Sequence, residues 1–254
     1  MTTLRHITLA ALLGAASPAL LAAQAAPMTG LPPARTVISR YVEAIGGREA
    51  LERLPSRWEQ GRMEVASAGL ALRYELFAAP NRQFTRSQMP GLGEVRSGID
   101  GQVAWLINPA TGPMLLEGLA LQQARQGADP LAPLHPDRYV AAAETVGDTT
   151  FGGARCWKLK ITTTWNEEYY EFFNAETGLL QGGIRSQASA QGSVAITSQI
   201  VEWRTVAGVR MPRVTRSQMM GAQIVSTVDT TEVRAIPDSV FALPPEIRAL
   251  RGGN

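Results

Sequence analysis

The chain has 254 residues, 45% hydrophobic and 18% charged, with a formal net charge of +2 and one cysteine. A near-neutral balance with no basic cluster interleaved with aromatics argues against nucleic acid as a partner. One cysteine excludes an intramolecular disulfide framework, so stability must come from buried apolar area.

Residues 1–25 read as a targeting leader: Arg5 is a short basic start, Ile7 to Ala23 is an almost unbroken apolar run, and Ala23-Gln24-Ala25 offers the small residues a signal peptidase reads. The run contains Gly14 and Pro18, has no basic stop-transfer flank and is short for a membrane span. Cleavage after Ala25 is expected, followed by a flexible linker over 26–33 and one domain over 34–254. No later apolar run is long enough to cross a bilayer, so the mature chain is expected to be a soluble envelope protein.

Pro32 and Pro33 suit the start of a helix, where a missing N–H costs nothing. Ile38, Tyr41, Val42 and Ile45 then repeat at the spacing of one apolar helix face. Gly46-Gly47 lacks both the preceding strand and the following lysine of a phosphate loop, so it reads as a break between two short helices. From Trp58 to Ile107 the period drops to two. Leu70, Leu72, Tyr74 and Leu76 alternate with Arg73 and Glu75, and Asp100-Gly101 is a strong hairpin signal. The proline- and glycine-flanked run Met114 to Gln126 reads as an inserted helix with Leu115, Leu116, Leu119 and Ala120 on its apolar side. It is a candidate lid or plug over a concave sheet.

From Gly153 to Pro237 the chain reads as an antiparallel meander. In CWKLKITTTW, Trp157, Leu159, Ile161 and Trp165 fall on one face and Cys156, Lys158 and Lys160 on the other. Asn174 and Gly178 supply turn chemistry after EEYYEFFN. Glu167 and Glu171 share a face of that run, and their charged and turn-forming neighbours suggest a solvated surface.

Catalysis finds little support. There is no GxSxG elbow, His135 is the one histidine outside the leader, and one histidine with one cysteine is too few for a zinc site. No catalytic residue, metal or cofactor is expected.

Four runs in order, YVEAIGGREALERL, IDGQVAWLINPATGP, YYEFFNAETGLL and VFALPPEIRAL, resemble the outer-membrane lipoprotein-sorting-like proteins, related in fold to the periplasmic carrier LolA. The resemblance implies an incomplete antiparallel β-barrel of about 10–11 strands, with short N-terminal helices and an inserted plug helix. It implies binding of a lipid or a lipoprotein acyl chain in the periplasm, with envelope proteins as further partners. The expected cavity wall is Leu72, Tyr74, Leu76, Trp105, Leu116, Leu119, Trp157, Leu159 and Ile161. The same residues would equally fill a solid core, which leaves an envelope structural or interaction protein as the alternative and an enzyme acting on a lipid-like substrate as a weaker one.

Overall fold

The computed structural model describes residues 30–189 and 192–252, and the expected leader lies outside them. Helices α1 (Ala34–Ala44) and α2 (Gly47–Glu52) come first. Between them Gly46 and Gly47 take φ of 125° and 78°, conformations only glycine adopts without strain. The Ile45 carbonyl there accepts from the Arg210 N–H at 2.8 Å, so the break ties the helix pair to the sheet.

Strands β1 (Arg57–Val65), β2 (Leu70–Ala79), β3 (Arg82–Met89), β4 (Gly93–Ile99), β5 (Ala104–Asn108) and β6 (Gly112–Leu116) follow, then helix α3 (Gly118–Ala128). The second run comprises β7 (Val140–Phe151), β8 (Ala154–Thr163), β9 (Glu168–Asn174), β10 (Leu180–Ser189), β11 (Gly192–Val206), β12 (Val209–Met219) and β13 (Ala222–Val233). Helix α4 (Pro245–Gly252) closes the described chain. The strands form one sheet of 13 in the order β6-β5-β4-β3-β2-β1-β13-β12-β11-β10-β9-β8-β7. Each run is a simple antiparallel meander, and the pairing of β1 with β13 joins them.

One extra strand comes from a segment read as helix and another from a segment given no element in the sequence. Met114 to Leu116 is strand, not helix: Asn108–Gly112 closes a hairpin and Leu116 pairs with Ala104. The helix begins only at Gly118, whose φ of 53° turns the chain out of the sheet. Val140–Phe151 is the second, an edge strand paired along β8.

The sheet curls, and α3 shows why. It contacts β4 and β5 on one side and β10 on the other, although β4 and β10 stand seven places apart in the strand order. Laid flat, seven spacings would span about 34 Å, whereas an 11-residue helix is about 16 Å long. One helix therefore reaches both halves only because the sheet wraps around it.

The concave side is filled unevenly. α1 lays Ala34, Val37, Ile38 and Tyr41 on Leu159, Ile161, Tyr169 and Phe173 of β8 and β9. Farther along, Ile45, Leu51 and Leu54 pack with Val209. Under α3, Leu121, Ala124 and Ala128 meet Ile99, Ala104 and Leu116. The convex side of β3 to β6 carries the C-terminal segment: Arg82 lies over the Phe241 ring at 4.8 Å and Arg96 pairs with Glu246 at 3.2 Å.

Candidate functional site: a trough beneath the inserted helix

Two adjoining cavities open on the concave side, of about 330 and 280 Å³. They share Gln123, Tyr169, Glu171, Leu180 and Arg185 in their walls. The larger continues over Ile196, Ser198 and Ile200 of β11. The smaller runs between α1, at Ile38 and Tyr41, and the loop after α3. Both sizes lie near the lower end of the range for small-molecule pockets, about 300–1,000 Å³.

Space exists here because of the residues on β10. Gly183 presents no side chain where β10 passes β9 and stands opposite Glu171, while its neighbour Gly182 makes room for the Phe151 ring on the other face. A Cβ on Gly183 would lie 2.9 Å from the Tyr170 carbonyl oxygen, so the strand accepts nothing larger at that position without shifting. Next along, Arg185 gives the wall its charge. Its Nε and Nη2 donate to the two oxygens of Glu167 at 2.8 and 2.7 Å, and its guanidinium lies over the Tyr169 ring at 4.5 Å. Gln123 of α3 donates both to Glu167, at 2.8 Å, and to the Ser186 carbonyl, at 3.0 Å, which pins the helix across the trough. Burial pushes the Glu167 carboxyl up, but the Arg185 hydrogen bonds and charge, with help from Gln123 and Trp165, outweigh it. The group ends below its ordinary value.

Glu171 has no such support. It faces Leu159 on one side and Gly183 on the other, and no hydrogen bond or ion pair reaches its carboxyl among the described residues. Burial raises its pKa to about 7, and Arg185 only partly opposes the shift. Glu167 and Glu171 do share a face, as alternation requires, but that face is the concave one and not a solvated surface.

The far end of α3 is held as well. Asp129 is buried, and its carboxylate accepts from Arg138 Nη1 at 3.1 Å, from the Tyr139 hydroxyl at 3.0 Å and from the Leu131 N–H at 2.8 Å. The proline-rich segment after α3 is clamped there.

The nine residues expected to wall a cavity separate into several groups. Ile161 alone among them lines the trough. Leu159 is fully buried beneath α1, and Trp157 packs on the same cluster. Leu116 supports α3 from the sheet, while Leu119 on the helix is half-buried. Leu72, Tyr74 and Leu76 share the concave phase of β2 with Ala78, but away from the two cavities. Trp105 requires a correction. It pairs with Gly98, whereas Ala104 pairs with Ile99 and meets α3, so the Trp105 ring lies on the convex side. There it continues an aromatic row through Phe84 to Phe77, with centroids 6.1 and 5.8 Å apart. Glu171, read in the sequence as a surface acid, lines the trough together with Arg185, Gln123 and Leu180.

Among the described residues no group of three or more His, Cys, Asp or Glu side chains could hold a metal ion, and no helix is long and apolar enough to cross a membrane. Cys156 is buried with its Sγ 3.4 Å from the Ala154 carbonyl, and burial raises its thiol pKa.

No protein-family model matches the chain, and no curated protein is similar to it in sequence. Solved structures are similar in fold. A LolA superfamily protein from Nitrosomonas europaea superposes with a TM-score of 0.56 at 14% identity, over 84% of this chain and 98% of that one. A DUF1329 family protein from Desulfovibrio piger gives 0.57 at 10% identity, over 83% and 97%. A domain from Vibrio parahaemolyticus, described as that of an outer-membrane lipoprotein-sorting protein, gives 0.53 at 10%, over 82% and 97%. At such identities the likeness speaks for architecture, and it agrees with the open sheet, the N-terminal helix pair and the inserted helix found here. The chain has the LolA-like fold, an incomplete antiparallel barrel plugged by helices.

Proposed function

We propose that this protein is a non-catalytic periplasmic carrier for a hydrophobic ligand, a lipid or an acyl chain. In this reading a leader over residues 1–25 is removed, residues 26–33 are a linker, and residues 34–254 form one carrier domain. The observation that carries the reading is the two-chambered trough beneath α3, walled by Ile38, Tyr41, Ile161, Leu180, Ile196 and Ile200. Open space between sheet and helices is what a carrier needs, and it supports this reading over a solid core. Burying an acyl chain gains about 0.8 kcal/mol per methylene, so ten offer about 8 kcal/mol against the cost of association. Exchange by differential burial needs no cofactor.

Purification from the native envelope without detergent, followed by native mass spectrometry, is expected to find one lipid bound per protein. The protein mass should correspond to a chain beginning at Ala26. Failure to take up any lipid, native or added, overturns the carrier reading, and a retained leader or an acylated N-terminus overturns the localisation. Leu180→Asp, in the wall that both cavities share, should weaken uptake of a fluorescent acyl probe about tenfold, or about 1.4 kcal/mol, with the far-ultraviolet circular dichroism unchanged. Unchanged affinity would move the acyl chain out of this trough.

A further inference from the structure

We propose that the trough takes an amphiphile whose polar end carries a cationic nitrogen, seated against Glu171 where the two cavities meet, with its apolar tail along Leu180, Ile196 and Ile200. This deepens the carrier reading above and rests on it.

One charge in the trough lacks a partner among the described residues. Two charged side chains, Glu171 and Arg185, line the trough, and Glu167 stands behind Arg185 as its ion-pair partner. The guanidinium is committed to Glu167 through two hydrogen bonds, which leaves Glu171 as the charge without a partner. From α3, Gln123 and Gln126 reach the trough, while Arg125 turns away to the Gln102 carbonyl. The Gln123 amide already donates to Glu167 and Ser186. Gln126 lines the smaller cavity, and its Oε1 is buried with no partner among the described residues. From α1 comes Tyr41 and from β9 itself Tyr169, both with hydroxyl pKa values raised first by burial and then by the Glu171 charge. Glu171 therefore faces the cavity as a half-buried carboxylate with no ion-pair partner of its own, beside the unpartnered Gln126 Oε1 and within reach of neutral tyrosine hydroxyls only. A buried acceptor without a donor is costly, and a carboxylate more so. An ammonium group brings several N–H donors together with the missing positive charge. A fatty carboxylate would instead meet a like charge, so an ordinary fatty acid fits this wall poorly. The half-barrel shape does not distinguish these head groups, but the wall does.

The experiment is competition for bound N-phenyl-1-naphthylamine on the full mature chain. Dodecylamine, dodecanol and dodecanoate are compared at pH 8. Dodecylamine should displace the probe at a concentration about tenfold below dodecanoate, with dodecanol between them. Lowering the pH to 5 protonates Glu171 and should weaken dodecylamine itself, which stays charged throughout. Glu171→Gln should abolish the preference for the amine while dodecanol still binds. Glu168→Gln, at a carboxylate on the opposite face paired with Lys160 at 2.7 Å, should leave the preference intact. Equal displacement by amine and carboxylate, or a preference that survives Glu171→Gln, overturns this inference and leaves the carrier reading standing. If neither the probe nor any of the three amphiphiles binds, both fall together.

Discussion

Leu159→Ala should lower the free energy of unfolding by about 2–5 kcal/mol, the range for truncating a leucine in a packed core. Leu159 has 0% of its surface exposed and joins Ala34, Val37, Ile161, Tyr169 and Phe173 in one cluster. The loss combines the transfer energy of the removed carbons with the cavity left between α1 and β8. Urea denaturation followed by circular dichroism measures it as a lower midpoint at unchanged slope. The residue lines neither cavity, so acyl-probe affinity in the still-folded variant should change less than about threefold. A loss below about 1 kcal/mol would mean that α1 closes over the gap and is less firmly seated than its contacts imply.

Glu171→Gln should stabilise the protein at pH 8 and leave it nearly unchanged at pH 4. The folded-state pKa of about 7 lies above the ordinary value of 4.5. Between those values the folded state binds more protons than the unfolded one, so stability falls as pH rises through that window. Above it the ionised group costs on the order of 3 kcal/mol, at 1.36 kcal/mol per unit. Below pH 4.5 both states are protonated and the cost vanishes. Thermal melts of the two proteins at pH 4 and pH 8 check this. Equal melting temperatures at pH 8 would mean that the carboxyl is solvated after all. A binding site commonly carries such a cost, because the group that recognises the ligand is unsatisfied until the ligand arrives.

Much of the fold was legible from local pattern. The alternation in CWKLKITTTW correctly put Leu159 and Ile161 on an inner face, and the helical spacing of Ile38, Tyr41, Val42 and Ile45 matched the side that meets the sheet. Asp100-Gly101 marked a real hairpin, with the Asp100 carboxylate accepting from the Gln102 and Val103 N–H groups. The failures fall where the local pattern is ambiguous. AWLIN is apolar at four consecutive positions, so nothing polar sets its phase. The face of Trp105 follows from its pairing with Gly98 and from the C-terminal segment that covers the convex side. The run MLLEGLAL suits a helix or a strand equally, and the hairpin at Gly112 decides in favour of strand for its first part. Glu171 was legible in principle: alternation puts it with Tyr169 and Phe173, and the turn after Thr163 sets it opposite Leu159. Acidic neighbours misled because Glu167 is itself buried, and its partner Arg185 lies a strand away.

The pairing of β1 with β13 has a consequence for how the chain folds. Arg57 sits opposite Val233, so the middle of the sheet joins the two ends of the domain, while its outer edges β6 and β7 are neighbours in sequence through α3. Each meander can form as its own hairpins emerge, at little cost in loop closure. The seam between them must wait until nearly the whole chain has been synthesised. Until then β1 and the strands of the second run each offer an unpaired edge, the arrangement that invites pairing with another chain. Closing that seam is the slow, non-local event, and the nascent protein is most exposed to aggregation just before its last strand arrives.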